Sequence, residues 1–400
     1  MKCFLFGADN TGPSSSVQYN RINATFQSSW ASSSPAAQIV APVAMDLSNF
    51  YFQATTPPGT GNSLTITVLK NGSPTSLELT IADTATSAQD TTHVASFAAG
   101  DTISLRSTPT GTPTDLTNHY WNVQVESAGH VAPLLTGLAQ ANTSTTQYGV
   151  MLAGHGTSNG WSTTEQNMQV VVPSDGVLTG LYATVHTAPL SGRSWEFTLM
   201  KNGVATSLQA TIANSAIAGN NTSTSVSVAA GDTLSVRCVP ISSPAAGVPS
   251  IGVAFVPNNV GENFMGFGSA QLPSTTAVSY EQLLGNGNNG WVASANRYMM
   301  PGPSTIRGLY VKLYTAPGVG KSWTFRLTKS TGDTSLAVVI ADNNTSGFAL
   351  GNIECTQGEL IILKCTPNPL VTGGPAAATG GVHAGLLLYN DPKAPVVVIY

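Results

Sequence analysis

The sequence predicts an all-β chain of three tandem antiparallel β-sandwich, jelly-roll-like domains, arising from an internal repeat of about 130 residues. One stretch occurs three times, its apolar residues are spaced two apart, and no 3.6-residue helical pattern appears anywhere. The stretch reads GLYATVHTAPLSGRSWEFTLMKNG at 180–203, NFYFQATTPPGTGNSLTITVLKNG at 49–72 and GLYVKLYTAPGVGKSWTFRLTKSTG at 308–332. Its prolines Pro58, Pro189 and Pro317 are about 131 and about 128 residues apart, which is the length of a domain rather than of a solenoid repeat. The expected boundaries are therefore 1–128, 129–258 and 259–391, with 392–400 as a C-terminal strand or tail.

Each repeat opens with an apolar strand and a Gly-, Asn- and Ser-rich segment that ends near Trp30, Trp161 or Trp291. These rings read either as core plugs or as stacking platforms for a ligand. In the repeated stretch, Leu181, Ala183 and Val185 alternate with Tyr182, Thr184 and His186, and Trp195, Phe197 and Leu199 alternate with Glu196, Thr198 and Met200. Period two places one row in a core and the other outside. The Pro- and Gly-containing connections at 187–194 and its counterparts suit tight turns. Asn71-Gly72 and Asn202-Gly203 are hairpin signals, and Thr331-Gly332-Asp333 reads as a slightly longer turn. Polar tips at 83–92, 214–225 and 342–351 should lead to further strands joined by hairpins at Gly100-Asp101, Gly231-Asp232 and Gly358-Glu359, whose carboxylates cap backbone N–H groups. The chain closes with the apolar Val396, Val397, Val398, Ile399 and Tyr400, where a fourth repeat would begin. Such a segment is expected to add to a sheet edge, as an assembly strand.

Composition narrows function mainly by exclusion. Charged residues are 8% of the chain and the formal charge is −4, so the footprint of a nucleic-acid or anionic-membrane binder is missing. No apolar run approaches the roughly 18 residues of a membrane span, and the start MKCFLFGADN is too short for a secretory signal. Export, if it occurs, is expected by lysis or another route that needs no such signal, or the sequence is already that of a mature chain. Cys3, Cys238, Cys355 and Cys365 lack metal-ligand spacing, and Cys355 and Cys365 are expected as thiols on adjacent strands. The run APGVGKS echoes a phosphate-binding loop, but the first glycine is missing and a strand pattern follows. Six histidines, among them His155 and His186, show no acid/base or metal pairing, and no GxSxG element occurs. No catalytic residue, metal site or cofactor is expected, and the chain reads as non-enzymatic. Asn-x-Ser/Thr triplets, as at Asn23 and Asn142, are of a number that a Ser/Thr-rich chain supplies by chance.

Low charge, abundant Ser, Thr and Gly, and the strands patterned as TAPGxGKSWTFxLxKNG resemble the accessory structural proteins of tailed-phage virions, namely head-decoration proteins, head fibres and tail-fibre modules. The resemblance implies a virion-surface protein made in the host cytoplasm, with the major capsid protein, other virion subunits or copies of itself as partners. It carries over no functional residues. Fused sandwiches would give either a pseudo-threefold unit or a rod, and the short linkers favour the compact form. The competing readings are a glycan-binding tail-fibre adhesin, using Trp30, Trp161 and Trp291 or exposed Tyr51, Tyr182 and Tyr310, and a surface-layer or filament subunit joined by strand addition.

Overall fold

A computed structural model describes residues 2–25, 30–152, 160–269, 273–286, 291–295, 298–370, 375 and 381–389. The expected tail strand 396–400 and His155 lie outside the described residues. Through the first third run β1 (Lys2–Asp9), β2 (Gln18–Asn20), β3 (Ile39–Val40), β4 (Met45–Gln53), β5 (Gly59–Lys70), β6 (Ser73–Asp83), β7 (Ser87–Asp90), β8 (Ala95–Phe97), β9 (Thr102–Thr110) and β10 (His119–Ser127). The middle third holds β11 (Ala132–Gly137), β12 (Gln147–Gly149), β13 (Trp161–Ser162), β14 (Val170–Val171), β15 (Gly176–Val185), β16 (Leu190–Lys201), β17 (Val204–Asn214), β18 (Ala218–Val228), β19 (Thr233–Ile241) and β20 (Pro249–Pro257). The last contains β21 (Glu262–Ser269), β22 (Ser279–Glu281), β23 (Gly285–Asn286), β24 (Ser304–Leu313), β25 (Gly318–Lys329), β26 (Gly332–Asp342), β27 (Ser346–Cys355), β28 (Ile361–Asn368) and β29 (Val382–Tyr389).

These strands build six sheets, two from each consecutive stretch. In the first pair the orders are β1-β10-β4-β7 and β2-β9-β5-β6. The second pair repeats this with β11-β20-β15-β18 and, beyond the short β13, β12-β19-β16-β17; the third has β21-β29-β24-β27 and β22-β28-β25-β26. Each pair thus sets its first strand beside its last and sends the chain back and forth between sheets, the double Greek key of a jelly roll. Among the described residues all strand pairings are antiparallel except the short β21–β23 contact.

The period-two reading of the repeated stretch holds in detail. Trp195, Phe197 and Leu199 are fully buried, as are Leu181 and Ala183, while Tyr182, Thr184 and His186 point away from that core. Trp323, Phe325 and Leu327 repeat the pattern, and Leu64, Ile66 and Val68 supply its aliphatic version. Each buried aliphatic or aromatic side chain of this kind contributes about 1.5–3 kcal/mol relative to exposure. Asn71 and Gly72, with φ of 51° and 79°, make the two-residue hairpin expected of Asn-Gly, and Asn202 and Gly203 do the same at 51° and 80°.

Four sequence expectations are corrected. The turn after β25 is not longer: Lys329 pairs with Gly332 as Lys70 pairs with Ser73, so Ser330 and Thr331 form an equally short loop. The segments at Gly100-Asp101, Gly231-Asp232 and Gly358-Glu359 are not hairpins, because the strands they join lie in opposite sheets. Consequently Cys355 on β27 and Cys365 on β28 belong to facing sheets, not adjacent strands, and all four cysteines are free and buried. Finally, much of the polar segments 214–225 and 342–351 is strand, β18 and β27. Both are sheet-edge strands with one solvated face, where Asn, Ser and Thr substitute for an apolar row without cost to the core.

Candidate functional site

The places where one sheet pair meets the next carry the most recurrent chemistry in the chain. Lys70, the last residue of β5, reaches the turn before β9: its Nζ donates to the Ser96 carbonyl at 2.9 Å and lies 3.0 Å from the Asp101 carboxylate. Asp101 also accepts the Ala98 N–H at 2.7 Å and the Asn71 amide at 2.7 Å, while Asn71 Oδ1 accepts the Thr102 N–H at 2.8 Å. Lys201, Asn202 and Asp232 repeat this lock, with Nζ 2.9 Å from the Ser227 carbonyl and 3.0 Å from Asp232. In the third pair Ser330 replaces the asparagine, and the longer Glu359 meets Lys329 at 2.9 Å and the Thr356 N–H at 2.6 Å. Burial pushes these carboxyl groups up, but backbone and side-chain hydrogen bonds and the lysine outweigh it. Asp101, Asp232 and Glu359 end below the usual carboxylate range. The capping role expected of the three acids is observed, and the lysine partner is an addition. No local pattern marks it, since the pair is about 31 residues apart along the chain.

Each lock holds a glycine against a tyrosine of the next sheet pair. A Cβ added to Gly100 would lie 3.7 Å from the Tyr182 ring, one on Gly231 3.2 Å from the Tyr310 hydroxyl, and one on Gly358 3.3 Å from the Tyr51 hydroxyl. The first pair thus abuts the second, the second the third, and the third the first. The tyrosines are half-buried, not exposed as the sequence suggested. A β-bulge beside each one, at 49, 180 and 307, shifts the register and turns the ring outward from its own sheet.

Further contacts tighten the joints. At the first, Arg21 donates to the Leu138 carbonyl at 2.9 Å, Asn23 to the Leu135 carbonyl at 2.7 Å, and the Val40 N–H to Ser250 Oγ at 2.7 Å. At the second, Ser174 donates to Glu262 and the buried His383 binds the Gln169 carbonyl through Nδ1. A Cβ on Gly252 would collide with the Val40 carbonyl oxygen and one on Gly385 with that of Val171, so both joints need glycine for close backbone approach. The register-matched residue of the first pair is the fully buried Asn122. Near the common centre, Phe4 and Phe6 of β1, Pro133 and Leu135 of β11, and Phe264 of β21 line one small apolar cavity of about 20 Å³.

Of the tryptophans singled out as stacking platforms, Trp30 is buried, with Nε1 donating to His119 Nε2 at 2.8 Å and its ring 6.3 Å from Trp121. Trp161 and Trp291 are half-buried: the first donates to the Ala139 carbonyl at 2.9 Å, and the second packs on Phe267 and Phe325. His186 accepts the Val248 N–H at 2.8 Å in the cleft between the first two pairs. Among the described residues no three His, Cys, Asp or Glu side chains converge, and no helix is long and apolar enough to cross a membrane. No protein-family model and no curated protein matches the chain.

Proposed function

We propose that this chain is a non-enzymatic virion structural protein, a capsid decoration or head-fibre protein built as a pseudo-trimer from three copies of one jelly roll. One observation carries the reading: the glycine-on-tyrosine contacts return from the third sheet pair to the first. Head-to-tail contacts either close into a ring or run on as a filament, and a closed set of three suits a threefold position filled by one chain. The sheet pairs fit the copy boundaries 1–128, 129–258 and 259–391, since β10 ends at Ser127, β11 begins at Ala132, β20 ends at Pro257 and β21 begins at Glu262. The sparse charge suits adhesion to a capsid lattice through broad neutral surfaces, with the major capsid protein as the partner.

The test is to add the purified chain to capsids of the virus that encodes it, prepared without it, and to image them. Density for three sandwiches at threefold or quasi-threefold positions is expected. Capsids that stay bare while the protein is folded and in excess would overturn the proposal.

A further inference from the structure

We propose that the cleft between the second and third sheet pairs binds an anionic saccharide, with the sugar carboxylate on Lys312 and the ring hydroxyls on Glu165, Gln166 and Asn202. The cleft is open to solvent, has a volume of about 530 Å³ and draws Glu165, Gln166, Gln169, Asn202 and Asp232 from one side and Lys312 and Tyr314 from the other. That volume lies within the roughly 300–1,000 Å³ of small-ligand sites, and domain junctions are where such sites concentrate.

The partners already made inside the cleft show which groups remain for a ligand. Asp232 is spent on Lys201, Asn202 and the Ala229 N–H. Tyr314 donates its hydroxyl to Gln169, whose amide donates in turn to Glu165 at 3.2 Å. Glu165 uses Oε1 for that bond and for Ser235 at 2.9 Å, so Oε2 is left to accept a hydroxyl. Asn202 keeps one amide hydrogen beyond its bond to Asp232, and Gln166 lines the cleft as an exposed residue.

Lys312 gives the site its charge preference. Five of the seven described lysines are paired with a carboxylate. Among the described residues Lys312 has no such partner, although it is half-buried in a wall that also holds Glu165 and the Asp232 carboxylate taken by Lys201. A cation of this kind favours an anion, and the surrounding amide, carboxylate and phenol groups favour a ring of hydroxyls over a bare anion. The register-matched residues at the other two joints are Thr184 and Gln53, so the cation belongs to one joint only. The cleft between the first and second pairs, of about 400 Å³, has His186 and Ile217 in its wall and no lysine.

The full chain is titrated with D-glucuronate and with D-glucose at low salt, followed by amide resonances, in wild type, Lys312→Ala and Lys312→Arg. Expected is saturable binding of glucuronate with shifts confined to the neighbourhood of Glu165, Asn202, Gly231 and Lys312. Lys312→Ala should weaken it at least about tenfold, as for loss of a charge-assisted bond, while Lys312→Arg should retain it. Equal binding of glucose, unchanged affinity in a folded Lys312→Ala variant, shifts centred on the other joint, or no saturable binding at high millimolar sugar would each overturn the proposal. Capsid attachment is a separate readout, so the failure of one proposal leaves the other standing.

Discussion

At the residue scale two buried histidines and two glycines tie the fold to its surroundings most closely. His119 packs on Phe52 at 5.5 Å and on Trp121 at 5.8 Å, accepts the Trp30 indole N–H, and has its pKa lowered to about 3 by burial. His383, buried at the second joint, is lowered to about 4 by burial, against the hydrogen bond to Gln169 that raises it. Both stay neutral in the fold while the same imidazoles in the unfolded chain protonate near their ordinary value of about 6.5. Their contribution is therefore complete above that pH and is lost progressively as pH falls toward their folded values. Asp101, Asp232 and Glu359, held low, add a second loss only at still more acid pH, as their carboxylates take up protons. A urea midpoint measured against pH should decline from about pH 6.5 and steepen below about pH 4; a flat profile down to pH 4 would contradict the burial of the histidines. Gly252→Ala and Gly385→Ala, which would each press a methyl on a carbonyl of the preceding sheet pair, should cost about 1–3 kcal/mol by overpacking, read from the same denaturation curves.

At the scale of elements, the lock of lysine on acid shows what a sequence conceals. The strands of the repeated stretch were legible because alternation and Asn-Gly turns are local, and inward Trp195, Phe197 and Leu199 emerged as read. The turns at Gly100, Gly231 and Gly358 are not legible in the sequence, because a tight glycine turn looks the same whether it reverses a strand within one sheet or carries it to the opposite one. Only the partners, set by long-range pairing, distinguish the two. For the same reason the lysine partners of the three acids leave no mark in the sequence, and the tyrosines read there as exposed rings. Lys201→Ala should free the Ala229 turn, with a loss of about 1 kcal/mol at most for a partly exposed pair. Faster amide exchange at Ala229 and Asp232 is the sharper readout, and unchanged exchange would show that the turn stands without its lysine.

For the whole molecule, closure by the contact of Gly358 with Tyr51 predicts a compact particle of one chain, 41.1 kDa, by light scattering and small-angle scattering on the same sample. Elongated particles or a ladder of masses would favour the filament reading, in which the third sheet pair of one chain engages the first of another. Removing residues 396–400 tests the assembly-strand expectation: a shift in mass or in unfolding midpoint is expected, and unchanged values for both would dismiss it. The joints, although built to one plan, do not carry the same side chains: Thr184, Lys312 and Gln53 occupy one register position in turn, and Gly252, Gly385 and Asn122 another. Three identical subunits would have to repeat every substitution around their axis, so each advantage and each defect would come threefold. A single chain escapes that arithmetic. It can dedicate one junction to a ligand and keep the others for cohesion, with a stoichiometry of one per particle and a definite orientation on a symmetric support.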